Sequence, residues 1–309
     1  DARLERARDG HGYGAASRIR YAGPSAASRA GAAGFLMRSA GTDSHRMAHT
    51  GGTRFADGVE PIPSAALSNP DADQLARLVA IDPGTRVRLA LDCGWDGEYT
   101  SQNVIGEMTG SSRPGEVVLL GAHLDSWDEG TGAIDDAAGI GITMAAAKLI
   151  ADLPVRPSRT IRVVAFANEE QGLHGGLAYA EAHAGEIASH AIMVESDFGA
   201  GRIYGFDAGV GEHAKEAIAH IAGALEPLGV EWRPGEGDPE SDIGPFARAG
   251  AAWAWLGHDG TDYFDLHHTP DDTLDKIDPA TLRQNVAAYA VFTYLAAQAE
   301  GDFGSAPRE

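Results

Sequence analysis

Two imidazole sites and several carboxylates recur at comparable places along the chain. His123 and Asp125 stand in GAHLDSWD (121–128), and Asp135 with Asp136 in GAIDDAAG (132–139). Glu169 and Glu170 stand in NEEQGLHGG (168–176), Asp197 in VESDFG (194–199), and His267 with His268 in HHTPDDTL (267–274). Any one of these alone reads as a loop or cap residue; Asp136 ahead of Ala137-Ala138-Gly139 is as good an N-cap as a ligand. Their recurrence is harder to dismiss. Carboxylates gathered without a cation repel one another and are pushed towards protonation, and a bound metal removes that conflict. Three carboxylates with two neutral imidazoles bring about −3 against the +4 of two divalent ions, leaving a small positive excess to hold hydroxide and polarise a carbonyl. Nitrogen and oxygen donors without thiolate suit zinc, with cobalt or manganese as substitutes. Two ions bridged by one carboxylate at roughly 3.5–4 Å form a clamp for hydrolysis. Such a clamp needs a Glu outside the ligand set as general base, and the Glu169-Glu170 doublet offers one residue for each task.

The elements around these motifs are those that would gather them. Residues 116–120 (EVVLL) form an apolar run that reads as a buried strand ending at His123, and the Ala-rich stretch 140–149 reads as a helix. Strands are expected at 103–108, 160–166 and 190–194, and helices from 137, over 175–183 and 212–225, near 243–248 and over 279–299, the last with Pro279 in its first turn. The run 251–256 is apolar. Alternating strands and helices indicate an α/β sheet, mixed but mostly parallel, with helices on both faces. The ligand candidates then lie outside the carboxyl ends of strands, where such sheets bind ligands. Earlier in the chain, 30–37 reads as a helix entering a strand, 58–67 as loop and short strand, 69–79 as a short helix and 85–91 (TRVRLAL) as a half-buried strand. His11, His45 and His49 lie in polar loop text and read as scattered surface residues.

The totals narrow the class. The 309 residues suffice for a large α/β domain with a smaller module, and 43% hydrophobic residues allow a substantial core. With 24 Lys and Arg against 45 Asp and Glu, the formal net charge is −21. That argues against nucleic acid or an anionic membrane surface as partner. One cysteine, Cys93, rules out an intrachain disulfide. No apolar run approaches a membrane span.

Together the five motifs resemble, in order and approximate spacing over residues 100–300, the co-catalytic di-zinc exopeptidases, and within them the carboxypeptidase Q-like branch. The resemblance implies two zinc ions per chain. His123 and Asp197 would hold one, Glu170 and His268 the other, and Asp135 would bridge them; the family register favours His268 over His267. Glu169 would be the general base that deprotonates the zinc-bridging water, and Asp125 would orient His123. A cis peptide between Asp135 and Asp136 is implied as well. The substrate implied is a dipeptide or a peptide's N-terminal residue, with no substrate-binding residue identified. The loop 235–240 lacks the Tyr that some relatives use to stabilise the oxyanion, which leaves that task to the zinc itself or to another donor such as His258 or Tyr263. Trp127 and Asp128 would shape the pocket rim, whereas Glu195, Ser241 and Asp242 read as structural, with Ser241 or Asp242 as a helix cap.

The expected domains are 1–97, similar to the latter part of a protease-associated insert, and 98–309, a catalytic domain whose opening strands and helix are expected to precede this sequence. A secreted or periplasmic location is implied by relatives alone, and a homodimer is compatible with the sequence. Two rival readings are a single-zinc glutaminyl cyclase-like acyltransferase and a non-catalytic receptor-like homologue; the complete ligand set and Glu169 argue against both. There is no GxSxG, HExxH or phosphate-binding Gly-Lys-Ser/Thr motif.

Overall fold

The computed structural model describes residues 3–305 other than Trp95. The chain divides into two compact units. One runs to Thr100 and takes in Trp127–Thr131 and Gly260–Asp272; the other comprises Ser101–Ser126, Gly132–Asp259 and the chain from Thr273 onwards.

The larger unit is built on a seven-stranded sheet. Its strands are β3 (Val104–Met108), β4 (Arg113–His123), β5 (Arg159–Phe166), β6 (His190–Glu195), β7 (Ile203–Gly209), β8 (Glu231–Trp232) and β9 (Trp253–His258), in the spatial order β3-β5-β4-β6-β9-β7-β8. The four central strands β5, β4, β6 and β9 run parallel. Strand β3 is antiparallel to β5 at one edge, and β7 is antiparallel to β9. Both faces are covered, which is why β4 reads as an unbroken apolar run and not as an alternation. Val118 and Leu120 face helices α3 (Ala138–Ala151), α5 (Lys215–Leu225) and α8 (Pro279–Gln298) through Ile142, Ile218 and Phe292. Val117 and Leu119 face α4 (His174–Ala182) and α6 (Gly244–Arg248) through Tyr179 and Phe246. Helix α8 starts as Pro279 predicts, and the Asp278 carboxylate accepts the N–H groups of Ala280 and Thr281.

The strand order places the site. From β4 the chain crosses to β5 on one side, and from β5 it returns to β6 on the other side of β4. The connecting loops therefore part above the carboxyl end of β4, the switch point at which such sheets form a crevice.

The smaller unit holds α1 (Tyr13–Arg29), the parallel pair β1 (Phe35–Arg38) and β2 (Ser64–Leu67), and α2 (Asn69–Ile81). Ser68 caps α2 by accepting the Asp71 N–H at 3.2 Å. Segment 260–272, including α7 (Tyr263–Leu266), is tied to this unit: Thr42 N–H donates to the Phe264 carbonyl, and Tyr13 stacks on the Phe264 ring at 4.4 Å.

Two local expectations are corrected. The helix expected around 30–37 lies earlier, at Tyr13–Arg29, with the strand following at Phe35–Arg38. Helix α1 buries small residues (Ala16, Ser17, Pro24 and Ser25), so no large apolar periodicity marks it. The strand expected at 85–91 is absent: Val87 and Leu91 are exposed, and alternation alone supplies no pairing partner. Strand β7 escaped the sequence reading altogether.

Candidate metal centre

Three neighbouring strands deliver the donors within the larger unit. His123 is the last residue of β4, Glu169 and Glu170 follow β5, and Asp197 follows β6. Asp135 and Asp136 sit between Gly132 and the first turn of α3, joined by a cis peptide bond. His123 is 1% exposed. Its Nδ1–H donates to the Asp125 carbonyl at 2.8 Å. That bond fixes the tautomer and aims the bare Nε2 at Asp135 Oδ1, 3.0 Å away, and Asp197 Oδ1, 3.2 Å away. A lone pair facing two carboxylates is stable only with a proton or a cation between them. Burial pulls the His123 pKa down, but the Asp197 and Asp135 carboxylates outweigh it and hold it well above its ordinary value.

Asp136 lies in the same group with His123 and Asp197. Its Oδ2 accepts the His123 N–H and its Oδ1 accepts the Gly139 N–H, both at 3.1 Å. Burial, reinforced by Asp197 and Asp135, drives its pKa well up. Glu169 is pushed to about 9, by burial first and then by Asp197. Burial thus crowds carboxylates around one imidazole, a donor set that a divalent cation fits.

Asp125 acts differently from the expectation. Its carbonyl orients His123, while its carboxylate Oδ1 stands 3.8 Å from Nδ1. The carboxylate accepts instead the main-chain N–H of Glu169 at 2.9 Å and of Glu170 at 3.2 Å. It therefore positions the Glu doublet across 44 residues of sequence. Asn103 sets the start of the same loop, accepting the Ala167 N–H and donating to the Gly175 carbonyl.

Nor does Asp242 cap α6. Its Oδ1 accepts the Gly176 N–H of α4, and it is Glu195 Oε2 that accepts the Asp242 and Ile243 N–H groups. Burial, with the Asp197 charge, raises the Asp242 carboxyl to about 7. His258 ends β9 fully buried against Tyr289, and burial lowers its pKa to about 4. Tyr263 is buried in the smaller unit, beside Phe264 and His267.

His267 and His268 belong to the smaller unit. Their rings stack at 3.5 Å. His268 has a left-handed backbone (φ 61°), and its Nδ1–H donates to the Thr50 carbonyl at 3.0 Å. The acceptor nitrogen of the ring is then Nε2. Trp127 lies 5.8 Å from the His268 ring. His49, expected at the surface, is 4% exposed.

The first turn of α3 approaches β6 closely. A Cβ on Gly139 would overlap the Ser196 carbonyl and stand 2.5 Å from both Asp136 carboxylate oxygens. Gly139→Ala is therefore expected to destabilise the fold by about 1–3 kcal/mol and to lower zinc retention. Urea denaturation with zinc analysis checks this, and unchanged values for both would contradict it.

A profile of peptidase family M28 matches residues 103–293. The chain belongs to that family. It is therefore a member of a metallopeptidase family whose matched segment holds the seven strands of the large sheet and His123, Asp135, Glu169, Glu170, Asp197 and His268. The chain is 34% identical over 288 residues to carboxypeptidase Q of Mus musculus and of Homo sapiens, covering 93% of this chain and 61% of each relative. It thus spans about three fifths of the length of those relatives. A peptidase M28 precursor from Shewanella amazonensis SB2B is similar in structure, with a TM-score of 0.93 and 48% identity over all of this chain and 70% of that one. A zinc aminopeptidase from Bacillus subtilis shares the fold at 20% identity, with a TM-score of 0.59 over 90% of this chain and 68% of that one. Among the described residues no helix is long and apolar enough to cross a membrane.

Proposed function

We propose that the chain carries the catalytic centre of a zinc-dependent exopeptidase acting on dipeptides or on N-terminal residues of peptides, with two zinc ions per chain. The observation that carries this is the buried His123 Nε2 aimed at Asp135 and Asp197, with the Glu169 carboxyl among the same charges. His123 and Asp197 would hold one ion and Glu170 and His268 the other, with the Asp135 carboxylate serving both. Zinc, when bound, polarises the scissile carbonyl and acidifies the attacking water.

Glu169 takes the proton from the attacking water and hands it to the leaving nitrogen. Its main-chain N–H on Asp125 fixes where that carboxylate starts from. Asp125 also turns the His123 ring through its carbonyl, so one residue aligns both the base and a ligand.

Zinc analysis of the purified, folded chain tests the reading first, followed by a panel of dipeptides and N-terminally blocked peptides. About two zinc ions per chain, with hydrolysis that requires a free N-terminus, is the expected result. About one ion would favour the acyltransferase reading, and none in a folded chain given excess zinc would overturn the proposal.

A further inference from the structure

His49 and Asp43 form a hydrogen-bonded pair buried in the smaller unit, with His49 Nε2 2.7 Å from Asp43 Oδ1 and side chains 2% and 3% exposed. A histidine and an aspartate out of water need a reason, since each loses hydration that only good partners replace. The pair is anchored to the strands. His49 N–H donates to Ser39 Oγ at 2.9 Å, and Ser39, next after β1, donates through its own N–H and hydroxyl to the Leu67 carbonyl at the end of β2. The His49 ring lies over Gly41, where a Cβ would overlap it. Asn69, the first residue of α2, donates to the Gly41 and Asp43 carbonyls at 2.9 and 3.2 Å. Burial works against the Asp43 charge, but the hydrogen bond and charge of His49, with the main-chain N–H and charge of His45, together outweigh it and keep that carboxyl below its usual range.

The residue that this anchor holds next in the chain is Thr50. Thr50 N–H donates to the His268 carbonyl at 2.9 Å, and the Thr50 carbonyl accepts the His268 Nδ1–H at 3.0 Å. This two-way clasp spans 218 residues of sequence and sets both the main chain and the ring of His268. We infer that Asp43 and His49 are positioning residues for a metal ligand: through Thr50 they fix the tautomer and the ring plane in which His268 meets zinc. The inference rests on the proposed role of His268. Side chains that orient ligands from outside the coordination sphere change metal affinity by about 10–100-fold.

The test is zinc affinity of the full chain, measured in zinc-buffered solutions, with melting of the zinc-free protein recorded alongside. Asp43→Ala and His49→Ala are each expected to weaken the zinc that His268 is proposed to hold about 10–100-fold and to leave the other within about twofold. Asp43→Asn, which keeps the shape and an acceptor oxygen, is expected to recover most of that loss, and Asp43→Ala covers the case in which His49→Ala does not fold. His268→Ala separates the two ideas. If it weakens one zinc while Asp43→Ala, Asp43→Asn and His49→Ala all match the wild type, the positioning role is overturned and the ligand stands. If His268→Ala leaves both zinc ions bound, the ligand assignment falls and this inference falls with it.

Discussion

Glu169→Gln is expected to lower kcat by about 10²–10⁴-fold while zinc content and KM stay near their wild-type values. Gln matches Glu in size, and the contact that locates residue 169 is its main-chain N–H on Asp125, which the substitution leaves in place. What disappears is the ability to accept a proton. In the metal-free protein the Glu169 carboxyl is pushed to about 9, by burial first and then by Asp197, so it binds a proton avidly. A divalent cation lowers that value towards neutrality, where a base is most effective. Steady-state kinetics beside elemental analysis separates chemistry from metal binding. A variant retaining near-normal turnover would remove Glu169 as the base, and one that lost its zinc would make residue 169 a ligand.

Asp135→Ala is expected to lower the affinity for both zinc ions by at least about 100-fold and to abolish turnover at ordinary zinc concentrations, because its carboxylate is proposed to serve both ions. The stability signature is as specific as the activity loss. Zinc that binds only the folded chain stabilises it by about 2.7 kcal/mol at 100 times its Kd, and the variant loses that increment. Without zinc, the substitution removes one carboxylate from the charges that raise Asp136, but also the 3.0 Å contact with His123. The two changes oppose each other. Wild type and variant should therefore melt at separate temperatures in zinc and at similar ones in chelator. Calorimetry in the two solutions reads this directly, and a variant holding two zinc ions at wild-type affinity would refute the bridging assignment.

The contrast between Asp125 and His49 shows how far a sequence of this kind can be read. The sequence by itself determined the donor types, their place after apolar strands and the kind of sheet that gathers them. Those features depend on residues a few positions apart: VVLL running into GAHLD, or Pro279 opening a helix. Tertiary structure alone decided which neighbours the polar groups meet. Asp125 looks like a partner for His123 two residues away, yet its carboxylate serves main-chain groups 44 and 45 residues on. His49 looks like solvated loop text, yet it is buried against Asp43 beneath the Thr50 clasp. Strand order belongs to the same class, since β6 pairs with β4 and not with β5, which precedes it in the chain. The physical reason is common to all three. A hydrogen bond or a strand pairing is worth forming only where water has been excluded, and which segments exclude it together is a property of the packed chain, not of any short stretch.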